Sequence, residues 1–296
     1  MASAPPRLTI GMPVFNGAPW IEAAVDSVLG QSIADLALII SDNASTDQTQ
    51  AICERIAAAD SRVRYVRNDT NIGVLRNYDQ VFALSTTPYF KWASCSDVCL
   101  DGFLDKCLAV LEARPDVVLA YPRAIVILSP EDGRTKEYAQ EYDDDLDLQQ
   151  ERPSERFREY LNRERINNVM NGVIRASALR QTALNRPLPG SDISMIAELT
   201  LRGKFVEIPD RLFVRRLNRE TTGILMDRAA SAATGHPGQP NNLQRLKLHS
   251  YRFLTTLRAP ISFYEKLCVW LYLLRRVAWL RHRAFNKALR MARIRR

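Results

Sequence analysis

Leu36-Ala-Leu-Ile-Ile40, followed at once by Ser41-Asp-Asn-Ala-Ser-Thr-Asp47, is the stretch that decides the fold. Five uninterrupted apolar residues predict a strand buried on both faces, and the abrupt change to Ser, Asp, Asn and Thr marks a polar loop at its end. Ser45-Thr-Asp-Gln48 supplies cap-type residues, and Ile52, Ile56 and Ala59 recur behind it at helical spacing. Buried strand, polar loop and helix in succession make half of a βαβ unit, from which parallel sheets are built.

The alternation extends in both directions. Residues 8–12 read as a strand, and apolar positions 21, 24, 25, 28 and 29 as the face of a helix. Downstream, 63–66, 89–93 and 117–121 read as strands, with helices over 77–84 and 103–111. The regular pattern then stops. The charged segment 131–156 contains Asp143-Asp-Asp-Leu-Asp147, read as a solvated loop or helix start, with a cation site as the alternative. Residues 168–174 predict a strand, and 176–184 and 192–202 predict helices, the second ended by Gly203 as a C-cap. Residues 204–208 and 211–215 predict a strand pair across Pro209-Asp210, 229–242 a mobile loop, and 244–296 a helical tail.

The composition, 46% hydrophobic and 25% charged over 296 residues, suits one large folded unit or a domain with a small appendage, and excludes wholesale disorder. The net charge of +8 is unevenly distributed. Residues 251–296 hold twelve basic residues and one acid, Glu265, a net of +11 that leaves −3 for residues 1–250. That distribution, with no recognised binding motif in the tail, argues against nucleic acid. The N-terminus shows no secretory signal, and the odd set Cys53, Cys95, Cys99, Cys107 and Cys268 lacks zinc-site spacing, so reduced thiols in a cytoplasm are expected. His236, His249 and His282 lie outside every motif and are expected at the surface.

Three polar loops follow the C-terminal ends of the first, second and fourth strands: Pro13-Val-Phe-Asn-Gly17, residues 41–47, and Ser94-Cys-Ser-Asp97. Ligands of open parallel sheets bind at that edge, so the loops converge on one crevice. Each alone is a capping signal; their conjunction points to a site.

Ile10-Gly-Met-Pro-Val-Phe-Asn-Gly17, Ile40-Ser-Asp-Asn-Ala-Ser-Thr-Asp47 and Asn71-Ile-Gly-Val-Leu-Arg-Asn77 resemble, in order and spacing, successive motifs of the family 2 glycosyltransferases. The resemblance covers roughly residues 7–220. It implies an α/β fold of the GT-A type, a Rossmann-like nucleotide-diphospho-sugar transferase fold with a C-terminal helical extension. The nucleotide-binding half is expected over 1–122, the acceptor half over 123–220, and the loop and basic tail over 221–296. The implied reaction moves a hexose-type sugar from a nucleotide-diphosphate donor to a hydroxyl of a glycan or lipid-linked acceptor, with inversion, in cell-surface polysaccharide or glycolipid synthesis.

The resemblance also implies roles. Pro13, Val14, Phe15 and Asn16 border the nucleotide, and Asp42 accepts hydrogen bonds from the base or ribose. Asn71, Arg76 and Asn77 back the nucleotide pocket, with Arg76 in reach of a phosphate; turn chemistry alone is the alternative for Asn71 and Gly73. The loop after the fourth strand corresponds to the family's acidic metal motif and here reads Cys95-Ser96-Asp97. Ser96 and Asp97 are expected to face the diphosphate, and Asp97 to hold Mg²⁺ or Mn²⁺, hard cations that take oxygen ligands. One carboxylate remains where relatives usually have more, and without a metal the leaving charge falls to Arg76, Arg215, Arg216 and backbone N–H groups. Asp192 opens a helix with Gly203 eleven positions on, as an acidic residue does in the family, and is the expected general base, with a plain N-cap as the alternative. Glu198 on the same helix is expected to be structural. Asn218 stands where relatives often carry His.

The tail places Trp270, Leu273, Leu274, Val277, Leu280 and Phe285 at mostly three- and four-residue steps among many arginines. Such a basic amphipathic helix fits an anionic membrane surface through 260–296, peripheral on the inner face of the plasma membrane; packing of the stripe on the body is the alternative. Two rival functions stand beside transfer: a non-catalytic nucleotide-sugar binder, motivated by Cys95, Ser96 and Asn218, and a membrane adaptor carried by the tail.

Overall fold

A computed structural model of the chain describes residues 5–129, 138–218 apart from 144, 165, 187 and 189, and 242–294. The first half runs β1 (Leu8–Val14), α1 (Ile21–Leu29), β2 (Leu36–Asp42), α2 (Thr49–Ala59), β3 (Val63–Arg67), α3 (Val74–Ala83), β4 (Tyr89–Trp92), β5 (Val98–Cys99) and α4 (Phe103–Ala113). The rest runs β6 (Val117–Ser129), β7 (Tyr138–Tyr142), α5 (Pro153–Arg163), a 3-10 turn (Asn168–Asn171), β8 (Val173–Arg175), α6 (Ala176–Leu179), α7 (Ser191–Thr200), β9 (Lys204–Asn218), α8 (Asn242–Arg258) and α9 (Phe263–Ile294).

One sheet carries the molecule in the order β3-β2-β1-β4-β8-β6-β9-β5, with β7 on β6. β3, β2, β1 and β4 are parallel, so the loops leaving β1, β2 and β4 share one edge. β8 enters antiparallel to β4 and β6. Alternate side chains of the buried strands feed cores on opposite faces. Ile10, Met12, Leu38 and Ile40 join α1, α2 and α4 in one core. Ile39, Phe90 and Trp92 join α3, α5, α7 and the C-terminal helices in the other.

Several expectations change here. Residues 168–174 are mostly a 3-10 turn, with a strand only from Val173. A Cβ on Gly172 would lie 2.6 Å from the Ala120 carbonyl, so only glycine lets this segment press against β6. The expected strand pair is one strand, β9, parallel to β6. Pro122 pairs with Ile208 and Arg123 with Arg211, so Pro209 and Asp210 form a bulge where proline's missing N–H does no harm. Gly203 is not a C-cap: α7 stops at Thr200, and a Cβ on Gly203 would sit 2.4 Å from a Val118 methyl. The helix expected over 176–184 ends at Leu179, where the Thr182 hydroxyl donates to the Leu179 carbonyl. The acidic run is a solvated loop, as expected, with ion pairs and two buried leucines added: Asp143 meets Arg211 at 2.8 Å, Asp145 meets Arg163 at 3.0 Å, and Leu146 and Leu148 are buried. The tail is two helices broken around Pro260. His249 is buried rather than at the surface. Residues 229–241, with His236, lie outside the described residues, as does the side chain of His282. All five cysteines are free thiols.

Candidate active site

The β1 and β2 loops are welded together. The Asn16 N–H donates to the Ser45 hydroxyl at 2.9 Å, and the Asn16 side-chain oxygen accepts from the Thr46 N–H at 2.8 Å. The Gly17 N–H donates to Thr49 at 2.8 Å and the Ala18 N–H to Asp47 at 3.2 Å. Pro13 and Val14 are buried strand residues in register with Ser41 and Asp42. Phe15 projects, 49% exposed, from the rim of the edge.

Asp42, expected on the base or ribose, is wholly buried. Its Oδ1 accepts the Ser45 N–H at 2.8 Å; its Oδ2 accepts the Tyr65 hydroxyl at 2.8 Å and the Arg67 guanidinium. Tyr65 and Arg67 come from β3 and were absent from the sequence reading. A nucleotide reaches this carboxylate only if one of them gives way. Burial, then Asp42, raises the Tyr65 pKa.

Behind these loops stands a lattice of amides. Asn43 donates to Asn71 at 2.7 Å and accepts from the Ile72 N–H at 2.9 Å. Asn71 also takes the Gly73 N–H at 2.9 Å, the turn chemistry anticipated for it, and Gly73 adopts φ +86°. Buried Asn77 donates to the Ser41 carbonyl at 2.9 Å and accepts the Ser41 hydroxyl at 2.6 Å. Arg76, by contrast, is exposed.

The β4 loop lies beside the β1 loop, with Cys95 against Gly17, and reaches across to β9. Asp97 is 8% exposed, and its Oδ1 accepts the Arg216 N–H at 2.9 Å from β9. Its carboxyl is pushed up to about 6, chiefly by burial, with the nearby Arg215 cation opposing. Arg215 donates to the Ile166 carbonyl at 2.7 Å, and the Arg216 guanidinium lies 4.4 Å from the Trp20 ring centre. Beneath the loop is Lys91, wholly buried, donating to the carbonyls of Asn171 (2.6 Å) and Trp92 (3.0 Å). It sits 4.7 Å and 5.1 Å from the ring centres of Phe103 and Phe213. Burial lowers its pKa.

A divalent cation finds one carboxylate oxygen here. Asp97 Oδ2 accepts no hydrogen bond among the described residues, and the Ser94 and Ser96 hydroxyls pair with each other at 3.0 Å. Burial, then Asp97, pushes the Cys95 thiol up to about 11, so it stays neutral and is a poor partner for a hard ion. The described residues contain no group of three or more His, Cys, Asp or Glu side chains able to cage a metal. The donor set fits a cation held by Asp97 and completed by phosphate oxygens.

Asp192 lies in the first turn of α7, after Gly190 at φ +78°. Its Oδ2 accepts from Asn167 at 2.9 Å, whose own oxygen accepts the Tyr160 hydroxyl at 2.7 Å. Ile166, held by Arg215, is the residue before Asn167, so the segment linking α5 to the 3-10 turn connects Asp192 to the Asp97 neighbourhood. Tyr78 lies where they meet: its phenol pKa is raised by burial, then by the charge of Asp97, lowered by Arg215, and raised again by Asp192. Glu198, expected to be structural, is buried, pairs with Arg202 at 3.0 Å and caps the Ala183 N–H at 3.1 Å. The side chain of Asn218 lies outside the described residues.

The family model described as Glycosyl transferase family 2 matches residues 9–186. The Campylobacter jejuni GalNAc(5)-diNAcBac-PP-undecaprenol beta-1,3-glucosyltransferase is 33% identical over 63 residues, 21% of this chain and 20% of that protein. The putative glycosyltransferase EpsE of Bacillus subtilis is 29% identical over 108 residues, 36% and 39% of the two chains. The chain thus spans well under half the length of these curated relatives. A structure of S. aureus TarS in complex with UDP is similar with a TM-score of 0.59 at 13% identity, over 91% of this chain and 71% of that one. The mannosyltransferase PcManGT of Pyrobaculum calidifontis, in complex with GDP-Man and Mn²⁺, gives 0.54 at 15% identity, over 97% and 81%. These likenesses establish the GT-A type of α/β fold with its helical C-terminal part. The family match spans more than half of the chain and the loops just described, and with the sheet order it leads to one conclusion: this chain belongs to glycosyl transferase family 2.

Proposed function

We propose that the chain is an inverting glycosyltransferase that moves a sugar from a nucleotide-diphosphate donor to a hydroxyl of a glycan or lipid-linked acceptor, in cell-surface polysaccharide or glycolipid synthesis. The observation that carries this reading is Asp192, oriented by Asn167 at a helix start and sharing the surroundings of Tyr78 with Asp97 and Arg215. The solved complexes of similar fold with UDP and GDP-Man support the donor class. The undecaprenol-linked substrate in the name of the Campylobacter relative supports a lipid-linked acceptor, and with it action at the inner face of the plasma membrane.

In this mechanism residues 1–122 hold the donor and 123–220 the acceptor. The nucleotide lies along Pro13, Val14, Phe15 and Asn16, backed by Asn71 and Asn77, with Arg76 free to swing onto a phosphate. Asp192 takes the proton of the acceptor hydroxyl, whose oxygen attacks the anomeric carbon from the side opposite the diphosphate. The bond from that carbon to the phosphate oxygen breaks, and the diphosphate leaves with the electron pair. Arg215, Arg216 and the Ser96 hydroxyl meet its charge. A Mg²⁺ or Mn²⁺ ion at Asp97 would neutralise the diphosphate further.

Asp192→Asn tests the reading: turnover is expected to fall about 10³-fold, while nucleotide-sugar binding, followed as a rise in unfolding midpoint, persists. Unchanged turnover would remove Asp192 as the base. The reduced Cys95-Ser96-Asp97 motif favours one second reading, a nucleotide-sugar binder without turnover. Binding by the wild type with no transfer or hydrolysis of any donor would establish that instead.

A further inference from the structure

Helices α8 and α9 divide their apolar residues between two faces. Val269 and Leu273 are buried in the core, Trp270 stacks on Phe253 at 5.0 Å, and Glu265 bonds to Arg152 (3.0 Å) and the Ser154 N–H (2.8 Å). Trp270 and Leu273, two members of the stripe expected from sequence to meet a membrane, thus lie on the packed side, whereas Leu274 of the same stripe is exposed. The opposite face is left bare. Leu246 and Leu254 on α8, and Phe263, Leu267, Leu271 and Leu274 on α9, are each between 40% and 72% exposed. Leu246, Leu254 and Leu274 line one depression of about 400 Å³ between the helices, and Phe263, Leu267 and Leu271 recur at four-residue steps along the α9 face that ends in Leu274. Solvated folds rarely leave so many large apolar side chains together on one face.

Charge selects the occupant. Residues 242–296 contain fourteen Lys and Arg and a single acid, Glu265, which is turned inward onto Arg152 and Ser154. Exposed Lys247, Arg258 and Arg275 sit beside Leu246, Leu257 and Leu274. A second copy of the chain would press two cationic surfaces together with no carboxylate from these helices to separate them. An anionic bilayer accepts both the leucines and the cations. No helix among the described residues is long and apolar enough to cross a membrane, so the contact is with its surface.

We propose that the paired face of α8 and α9 docks on an anionic lipid bilayer, its leucines and Phe263 entering the headgroup boundary and its cations meeting lipid phosphates. Arg252 on α8 donates to the Ser194 hydroxyl on α7 at 3.0 Å, so the docking helices are tied to the helix whose first turn carries Asp192. Docking would therefore hold Asp192 at a fixed height above the lipid, which suits a lipid-linked acceptor. That consequence rests on the transfer reading; docking itself does not.

Vesicle flotation of the full chain tests the proposal without donor or acceptor, so its failure leaves the Asp192 experiment untouched. The wild type is expected to float with mixed phosphatidylglycerol–phosphatidylcholine vesicles, less as salt rises, and not with phosphatidylcholine alone. Leu254→Asp/Leu271→Asp/Leu274→Asp should weaken binding at least about tenfold with an unfolding midpoint near that of the wild type. Arg275→Gln, at an exposed position outside the packed face, should weaken it about fivefold, the equivalent of ~1 kcal/mol for one cation at an anionic surface. No flotation, equal flotation with neutral vesicles, or full binding by a folded triple variant overturns the proposal. A dimer that the triple variant dissociates, without flotation of the wild type, overturns it in favour of a second copy.

Discussion

Asp42 and Asp97 occupy related places, one ending β2 and the other in the loop after β4, and both are nearly sealed from solvent. Their surroundings differ. Asp42 is met by three donors, Ser45, Tyr65 and Arg67, all from the chain itself. Among the described residues Asp97 is met by one, the Arg216 N–H, and keeps an oxygen without a hydrogen bond while burial pushes its carboxyl up to about 6. A carboxylate saturated by its own protein is a strut. One left under-satisfied at a ligand edge stores unfavourable desolvation that an incoming cation or donor group relieves.

The largest expected effect breaks the strut. Asp42→Ala leaves the Ser45 N–H, the Tyr65 hydroxyl and one Arg67 nitrogen without their acceptor; orphaning a buried donor costs about 1–3 kcal/mol, so a loss of about 3 kcal/mol is expected. Urea unfolding measures it, and a loss below ~1 kcal/mol together with lost nucleotide affinity would make Asp42 a ligand and erase the contrast. Asp97→Asn is next and opposite in kind: turnover should fall about 10²-fold while the unfolding midpoint holds or rises, and a lowered midpoint would make Asp97 a strut too. EDTA should lower wild-type turnover without abolishing it, and undiminished activity in EDTA would detach Asp97 from any metal.

Glu265 carries the comparison into the tail, as a second saturated carboxylate. Burial raises its pKa, but the Ser154 and Arg152 hydrogen bonds outweigh that and hold it below the usual 4.5. A depressed carboxyl stabilises the fold above its unfolded value and loses that stabilisation as pH falls through the folded one. The docking of α9 should therefore weaken below pH 4.5, and Glu265→Gln should remove about 1 kcal/mol at neutral pH along with that dependence. Smallest is Trp20→Ala. Freeing Arg216 from the ring should raise the donor KM a few-fold, in keeping with a cation–π contact of about 0.5–1 kcal/mol, and leave the unfolding midpoint alone.

The sequence made β1 to β4 legible because buried parallel strands are continuous apolar runs, and the three loops legible because parallel strands put their C-terminal ends on one edge. It hid whatever depends on distant partners. Nothing in residues 63–67 signals that Tyr65 and Arg67 close over Asp42, and nothing near 160–167 signals that Tyr160 and Asn167 orient Asp192. Pro209 reads locally as a break, but a bulge absorbs it within a single strand. The tail's apolar stripe was visible, yet two faces compete for one helix, and only the packed structure separates Leu273, which is inside, from Leu271, which is outside.

Lys91 has a further consequence. Its amine is held between two aromatic rings and two carbonyls with no exposed surface, whereas the side chains of Lys106 and Lys247 lie at or near the surface. An amine-directed reagent would modify those at once and reach Lys91 only when β4 parts from the 3-10 turn that supplies the Asn171 carbonyl. The rate of labelling at this one lysine is thus a built-in clock for opening of the sheet beneath the site, and its slowing on addition of a nucleotide sugar would report how far ligand stiffens the central strands.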